Sequence, residues 1–163
     1  MIRPRPRSVN SSHPNGAKTG RCSECKPQLW STRCHRALHQ ALAAYRPTAT
    51  FDQLGYLTDV RDNFLPGIEL EDIRSDFEAG AGRELKGKMR APHSSSALAV
   101  NTFGRWSEEP SSLCICGQTA FESLKFEQLC STGLGGTAPH LDVLAVGPEA
   151  VVAVESKCLE HLQ

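Results

Sequence analysis

The sequence lacks an excess of either charge: 18 lysines and arginines stand against 18 aspartates and glutamates. Net charge alone therefore says nothing about a nucleic-acid partner. There is no internal repeat, and no apolar run near the amino terminus of the length a signal peptide or a membrane span needs. Pro4, Pro6 and Pro14 interrupt any amphipathic transit helix at the Arg-rich start. The cysteine count is odd, seven, which speaks against a disulfide framework. These absences lead to the expectation of a soluble, reduced, cytoplasmic protein with no membrane partner. With 163 residues, 39% of them apolar, the chain can bury one modest core, so a single domain with a loosely ordered extension is expected.

Charge is unevenly distributed. Residues 1–50 carry nine basic side chains and one acidic, and residues 51–80 carry two basic and eight acidic. A basic arm of that kind is a solvated tail or a surface for phosphate backbones. Residues 1–21, rich in Pro, Ser, Asn and Arg, have too little apolar surface to offset their ordering entropy and read as a disordered basic tail. Residues 22–65 read as a helical amino-terminal segment: Trp30, Cys34, Leu38, Ala41, Leu42 and Tyr45 recur at helical spacing before Pro47. A second helix is expected from near Pro66 or Glu69, with Ile73 and Phe77 inward and Gly80 and Gly82 at its end. A third covers 93–104, with a serine as N-cap, Gly104 as a left-handed C-terminal residue, and Leu98, Asn101 and Phe103 inward.

Past Pro110 the pattern turns to strands. Residues 123–130 alternate as a half-buried strand, and 140–146 and 151–157 are two near-continuous apolar strands around Gly147-Pro148-Glu149-Ala150, as in a sheet covered on both faces. An even-length hairpin loop centred between Pro148 and Glu149 pairs Val146 with Val151, and the antiparallel ladder then sets Asp142 opposite Glu155. Lys157 shares the face of Glu155 and has His140 as its partner across the ladder. Two opposed carboxylates among Val, Leu and Ala repel each other and call for a cation, and oxygen-only ligands suit Mg²⁺ or Mn²⁺.

Asp142, a gap of twelve residues, and then Glu155-Ser156-Lys157 resemble the signature of the PD-(D/E)xK, or restriction-endonuclease-like, nuclease superfamily. The resemblance spans about the last third of the chain. It implies an α+β fold in which a helical amino-terminal half precedes the three-stranded portion of an αβββαβ core, placed here in residues 66–163. It further implies Mg²⁺-dependent hydrolysis of DNA phosphodiesters. Asp142 and Glu155 would be metal ligands, the Ser156 carbonyl a third, and Lys157 the catalytic lysine. Many members add a glutamate from an upstream helix; Glu84 is the candidate and Glu78 its competitor. Leu141 rather than proline precedes Asp142, and Gln163 follows Lys157 by six residues. The expected core is therefore partial, to be completed by a partner or a longer chain, or else inactive.

Other readings compete. Cys22, Cys25, Cys34 and His39 form a candidate zinc set, but Cys25 to Cys34 is a short spacing and no second clean CxxC exists, so free cysteines are the favoured reading. Cys114 and Cys116 read as filling, Cys158 as a packed thiol, and His140 as a strand cap or a contact to substrate phosphate. An ordinary ion pair at a strand end is the rival reading of the E-x-K motif, and the burial of opposed carboxylates among apolar residues favours the nuclease-like site over it. The main functional rival to a nuclease is a non-catalytic nucleic-acid-binding or accessory protein using the basic arm, with zinc as a further element.

Overall fold

The computed structural model describes residues 27–80, 83–131, 133 and 138–159, with side chains from 33 onward. The expected disordered tail lies outside the described residues, and so do Cys22, Cys25 and the side chain of Trp30. The described residues fold as α+β: three α-helices followed by a three-stranded antiparallel sheet. None of the described helices is long and apolar enough to cross a membrane.

Helix α1, Pro27–Tyr45, opens on a proline, which has no amide to leave unsatisfied at that position. Cys34, His35, Leu38, His39 and Leu42 form its half-buried face, whereas Ala41 and Tyr45, expected inward, are exposed. The inward stripe is thus carried partly by two histidines: His35 stacks on His93 with ring centres 3.9 Å apart, and His39 packs on Phe51 at 4.1 Å. Helix α2, Leu70–Ala79, buries Leu70, Ile73 and Phe77. Helix α3, Ser95–Phe103, is capped by Ser94, whose hydroxyl accepts the Ala97 amide at 3.1 Å.

Two expectations for α3 are corrected. Gly104 is right-handed, at φ −58°, because the chain passes directly into a 3-10 turn, Gly104–Trp106. Leu98 is 43% exposed; Ala97, Ala99 and Val100 face the core instead, small side chains that let the helix lie close to its neighbours. Asn101 turns inward for hydrogen bonding, accepting the Leu65 amide and donating to the Asn63 carbonyl, both at 2.8 Å.

The sheet order is β1 (Ser123–Leu129), β2 (His140–Val146), β3 (Val151–Val154). Val146 pairs with Val151 across the hairpin, as the turn length requires, and the register runs to Val143↔Val154. One face of the sheet meets the helices. Leu124, Phe126, Val143 and Ala145 are buried there, with Val152 and Val154 packed against them. Val151, Ala153 and Lys125 are exposed, so the expectation of a sheet covered on both faces is corrected: the apolar run in β3 has one half-buried face only. Strand β3 also stops three residues short of Lys157, because the amide of Ser156 turns to a side chain of β2 rather than to its backbone.

One cluster holds these elements together, from Val60 and Phe64 through Ile73, Phe77, Met89 and Val100 to Phe126 and Val143. Phe77 stacks on Phe126 at 6.1 Å, joining α2 to β1. The irregular stretch between α2 and α3 is tied down by buried Asn63, whose amide donates to the carbonyls of Met89 (2.7 Å) and Ala91 (2.9 Å). Asn63→Ala leaves the Met89 carbonyl unpartnered, at about 1–3 kcal/mol for a buried orphan group, while the Ala91 carbonyl keeps the Ser94 amide at 3.0 Å. We expect urea denaturation to show a loss of about 1–3 kcal/mol, whereas a loss well under 1 kcal/mol would show that the amide does not hold this stretch.

Candidate functional site

Asp142 precedes Val143, which is wholly buried in the central strand. Past Phe126↔Val143 the β1–β2 register brings Glu127 opposite Asp142, and the ladder resumes at Gln128↔Leu141. The step at Glu127 is not a ladder pair. This residue takes φ +48°, a left-handed conformation that a side chain with a Cβ adopts at a cost. Its surroundings hold it there. Asp76 accepts the Phe126 amide at 3.0 Å, and Gly80 lies so close that a Cβ on it would stand 3.3 Å from the Glu127 carbonyl oxygen. Ser96, in the first turn of α3, donates its hydroxyl to the Glu127 carboxylate at 3.2 Å.

Both carboxylates line a cavity of about 330 Å³. Glu84 is the third acidic residue in its wall, and His35, Lys88 and His93 stand among the others. The crowding of negative charge acts on Glu127. Burial pushes its carboxyl above the ordinary carboxylate range, and the charges of Asp142 and, less strongly, Glu84 push in the same direction. The Ser96 hydroxyl and His140 oppose the shift without cancelling it.

The other residues singled out from the sequence are placed as follows. Glu155 and Lys157 lie beyond the end of β3, form an ion pair with each other, are each about half exposed (52%), and do not line the cavity. Between them, the Ser156 amide donates to Asp142 Oδ2. Glu78 lies on the exposed side of α2 beside Arg74, 3.8 Å away, while Glu84 faces the cavity. His140 pairs with Leu129 of β1, and its buried Nδ1 has no partner among the described residues. Of the zinc set, Cys34 is a half-buried free thiol and His39 is against Phe51, with the remaining two members outside the described residues. Cys114 and Cys116 are exposed, flanking the Ile115↔Gln118 turn. Cys158 is half-buried, its amide donating to Ser95 Oγ at 3.1 Å.

Glu127 was missed because it reads as the polar position of an ordinary half-buried strand. The β2–β3 turn sets its own register, but the long connection from β1 to β2 obeys no turn rule that would bring Glu127 to Asp142. Lys88 opens a single 3-10 turn, Lys88–Arg90, and His93 lies in the turn after it, segments too short for periodicity to mark a face.

Among the described residues, no three His, Cys, Asp or Glu side chains stand close enough to cage a metal ion. Mg²⁺ does not require a cage: it keeps several waters and is commonly held by one or two carboxylates together with substrate phosphate. On that footing the donor set fits. The donors are oxygen atoms, and the proton affinity of Glu127 is raised first by burial and then by the charge of Asp142, both of which a cation would offset. Comparison with protein-family models, with curated proteins and with solved structures finds no match to this chain.

The shift at Glu127 has a consequence for stability. Below the ordinary carboxylate value the group is protonated in the folded and unfolded chains alike. As pH rises from there through the raised folded value, the unfolded chain releases its proton first, so the folded state loses stability. Glu127→Gln, which keeps an acceptor for Ser96, should therefore be more stable than wild type near pH 7 and equal to it near pH 4. Denaturant midpoints across this range check it; a gain that is the same at both pH values would place the effect outside the carboxyl titration.

Proposed function

We propose that this cavity hydrolyses phosphodiester bonds in DNA with Mg²⁺ or Mn²⁺, on a core of the PD-(D/E)xK type. The observation that carries the reading is the convergence of Glu84, Glu127 and Asp142 on one cavity. The choice of a nucleic-acid substrate comes from the resemblance of Asp142 and Glu155-Ser156-Lys157 to the superfamily signature, and the basic side chains of residues 1–50 suit a polyanion.

When bound, a divalent cation supplies a more acidic water and neutralises charge at the reacting phosphorus. Asp142 and Glu127, opposite each other on adjacent strands, are the residues that would hold it, with Glu84 completing the acidic wall or receiving a proton from the attacking water. Ser156 orients Asp142, which lines the cavity, by donating its amide to one carboxylate oxygen. The hydroxyl of Ser96 fixes the Glu127 carboxylate in the same way.

Incubation of the purified chain with supercoiled plasmid and with single-stranded DNA, in Mg²⁺, Mn²⁺ or EDTA, tests the proposal. Cleavage is expected with either metal and not in EDTA. Asp142→Asn should lower it by more than the roughly 10–100-fold that loss of an outer-shell partner costs at a metal site. A folded wild-type chain inactive with both metals, or an Asp142→Asn chain that cleaves normally, would overturn it. Salt-sensitive DNA binding without cleavage would favour the accessory reading through the basic amino-terminal residues.

A further inference from the structure

The resemblance places the reactive ammonium on Lys157, but Lys157 is ion-paired with Glu155, half exposed and outside the cavity wall. Among the described residues, the lysine that lines the cavity with Glu84, Glu127 and Asp142 is Lys88. We propose that Lys88 is the cation that binds the phosphate at this site, donating a hydrogen bond to a non-bridging oxygen and stabilising the negative charge that builds there. No proton leaves it in this role. The inference rests on the phosphodiesterase reading for its catalytic part and on the cavity alone for its binding part.

Three observations support Lys88. First, among the described residues its ammonium forms no ion pair, not even with Glu84 one turn earlier, so a phosphate does not have to displace a partner. Second, its backbone is fixed on both sides. Met89 is wholly buried and donates its amide to the Glu84 carbonyl at 3.1 Å. Arg90 reaches the Leu57 carbonyl at 2.9 Å and Asp52 at 3.2 Å. Gly87, just before it, occupies a place where a Cβ would meet the Arg83 carbonyl oxygen at 2.9 Å, so the tight turn that aims Lys88 needs glycine there. Third, the stacked imidazoles of His35 and His93 line the same cavity beside Lys88, so its basic residues are grouped in one wall with it.

A site that holds an anionic phosphodiester next to carboxylates needs such a counter-wall. Apart from Lys88 and the two histidines, the charged side chains of the described cavity wall are the carboxylates of Glu84, Glu127 and Asp142. A single well-placed donor to developing oxyanion charge is worth about 10²–10³ in turnover.

The test compares wild type with Lys88→Ala, Lys88→Arg, Lys157→Ala and, as a neighbouring surface cation, Lys86→Ala. Two readouts are used: plasmid cleavage in Mg²⁺, resolved into kcat and KM, and binding of thymidine 3′,5′-bisphosphate by calorimetry. Lys88→Ala should lower kcat by about a hundredfold or more and weaken bisphosphate binding about tenfold, with Lys88→Arg restoring part of both. Lys157→Ala should lose less than Lys88→Ala, and Lys86→Ala should stay within about threefold of wild type, the range of general electrostatics. Lys88→Ala within about threefold of wild type in bisphosphate binding, or a larger loss in Lys157→Ala, would overturn the proposal. If wild type cleaves nothing, the phosphodiesterase reading fails on its own. Lys88 as a phosphate-binding residue would then stand or fall with the bisphosphate measurement.

Discussion

The burial of Val143 in the central strand constrains the rest of the molecule. It pairs with Phe126 on one side and Val154 on the other, and all three lie on or against the single core. Once that row is seated, the next position of β2 has to be Asp142, and the next position of β1 has to be Glu127. Burying a side chain such as Phe or Val contributes roughly 1.5–3 kcal/mol. The core commits a whole ladder of such residues, so apolar pairing can hold two carboxylates together against their repulsion. The raised proton affinity of Glu127 comes first from its burial and second from the Asp142 charge.

The irregularities of the sheet follow from the same point. Glu127 leaves the extended conformation where α2 presses on it through Gly80 and Asp76. Strand β3 ends where the Asp142 carboxylate takes the Ser156 amide. Each departure from regular pairing sits beside a carboxylate, at the end of the sheet where Ser95 and Ser96 of helix α3 bond to Cys158 and Glu127. The cavity lies where the three meet. Strain and acidic residues thus coincide, as is common where a fold serves a site rather than its own stability.

Much of this was legible in the residues. The turn between Val146 and Val151 has only one comfortable pairing, and Ile73 and Phe77 in α2 and the serine cap of α3 follow from periodicity and capping chemistry. The end of β3 was not legible, because it depends on a contest between a backbone ladder and one side chain that alternation cannot register. Leu98 misled because hydrophobicity does not distinguish a large side chain facing solvent from small ones packing inward. Asp142 was found from its motif. Glu84 was named as its acidic companion, but Glu127 and the basic Lys88 were not, since Glu127 depends on a long-range register and Lys88 on a glycine turn with no periodic signature. The E-x-K lysine, conspicuous in the sequence, is paired off in the structure, and the inconspicuous one lines the cavity.

Whether these carboxylates form a cation site is most directly measured by adding Mn²⁺ to the isotopically labelled chain and following its amide signals, since a paramagnetic ion broadens only what lies near it. The account predicts that the signals of Glu84, Glu127 and Asp142 broaden first, below one equivalent of Mn²⁺, and recover when Mg²⁺ is added in excess. Signals that stay sharp at those residues while broadening appears only elsewhere, or nowhere, would contradict it.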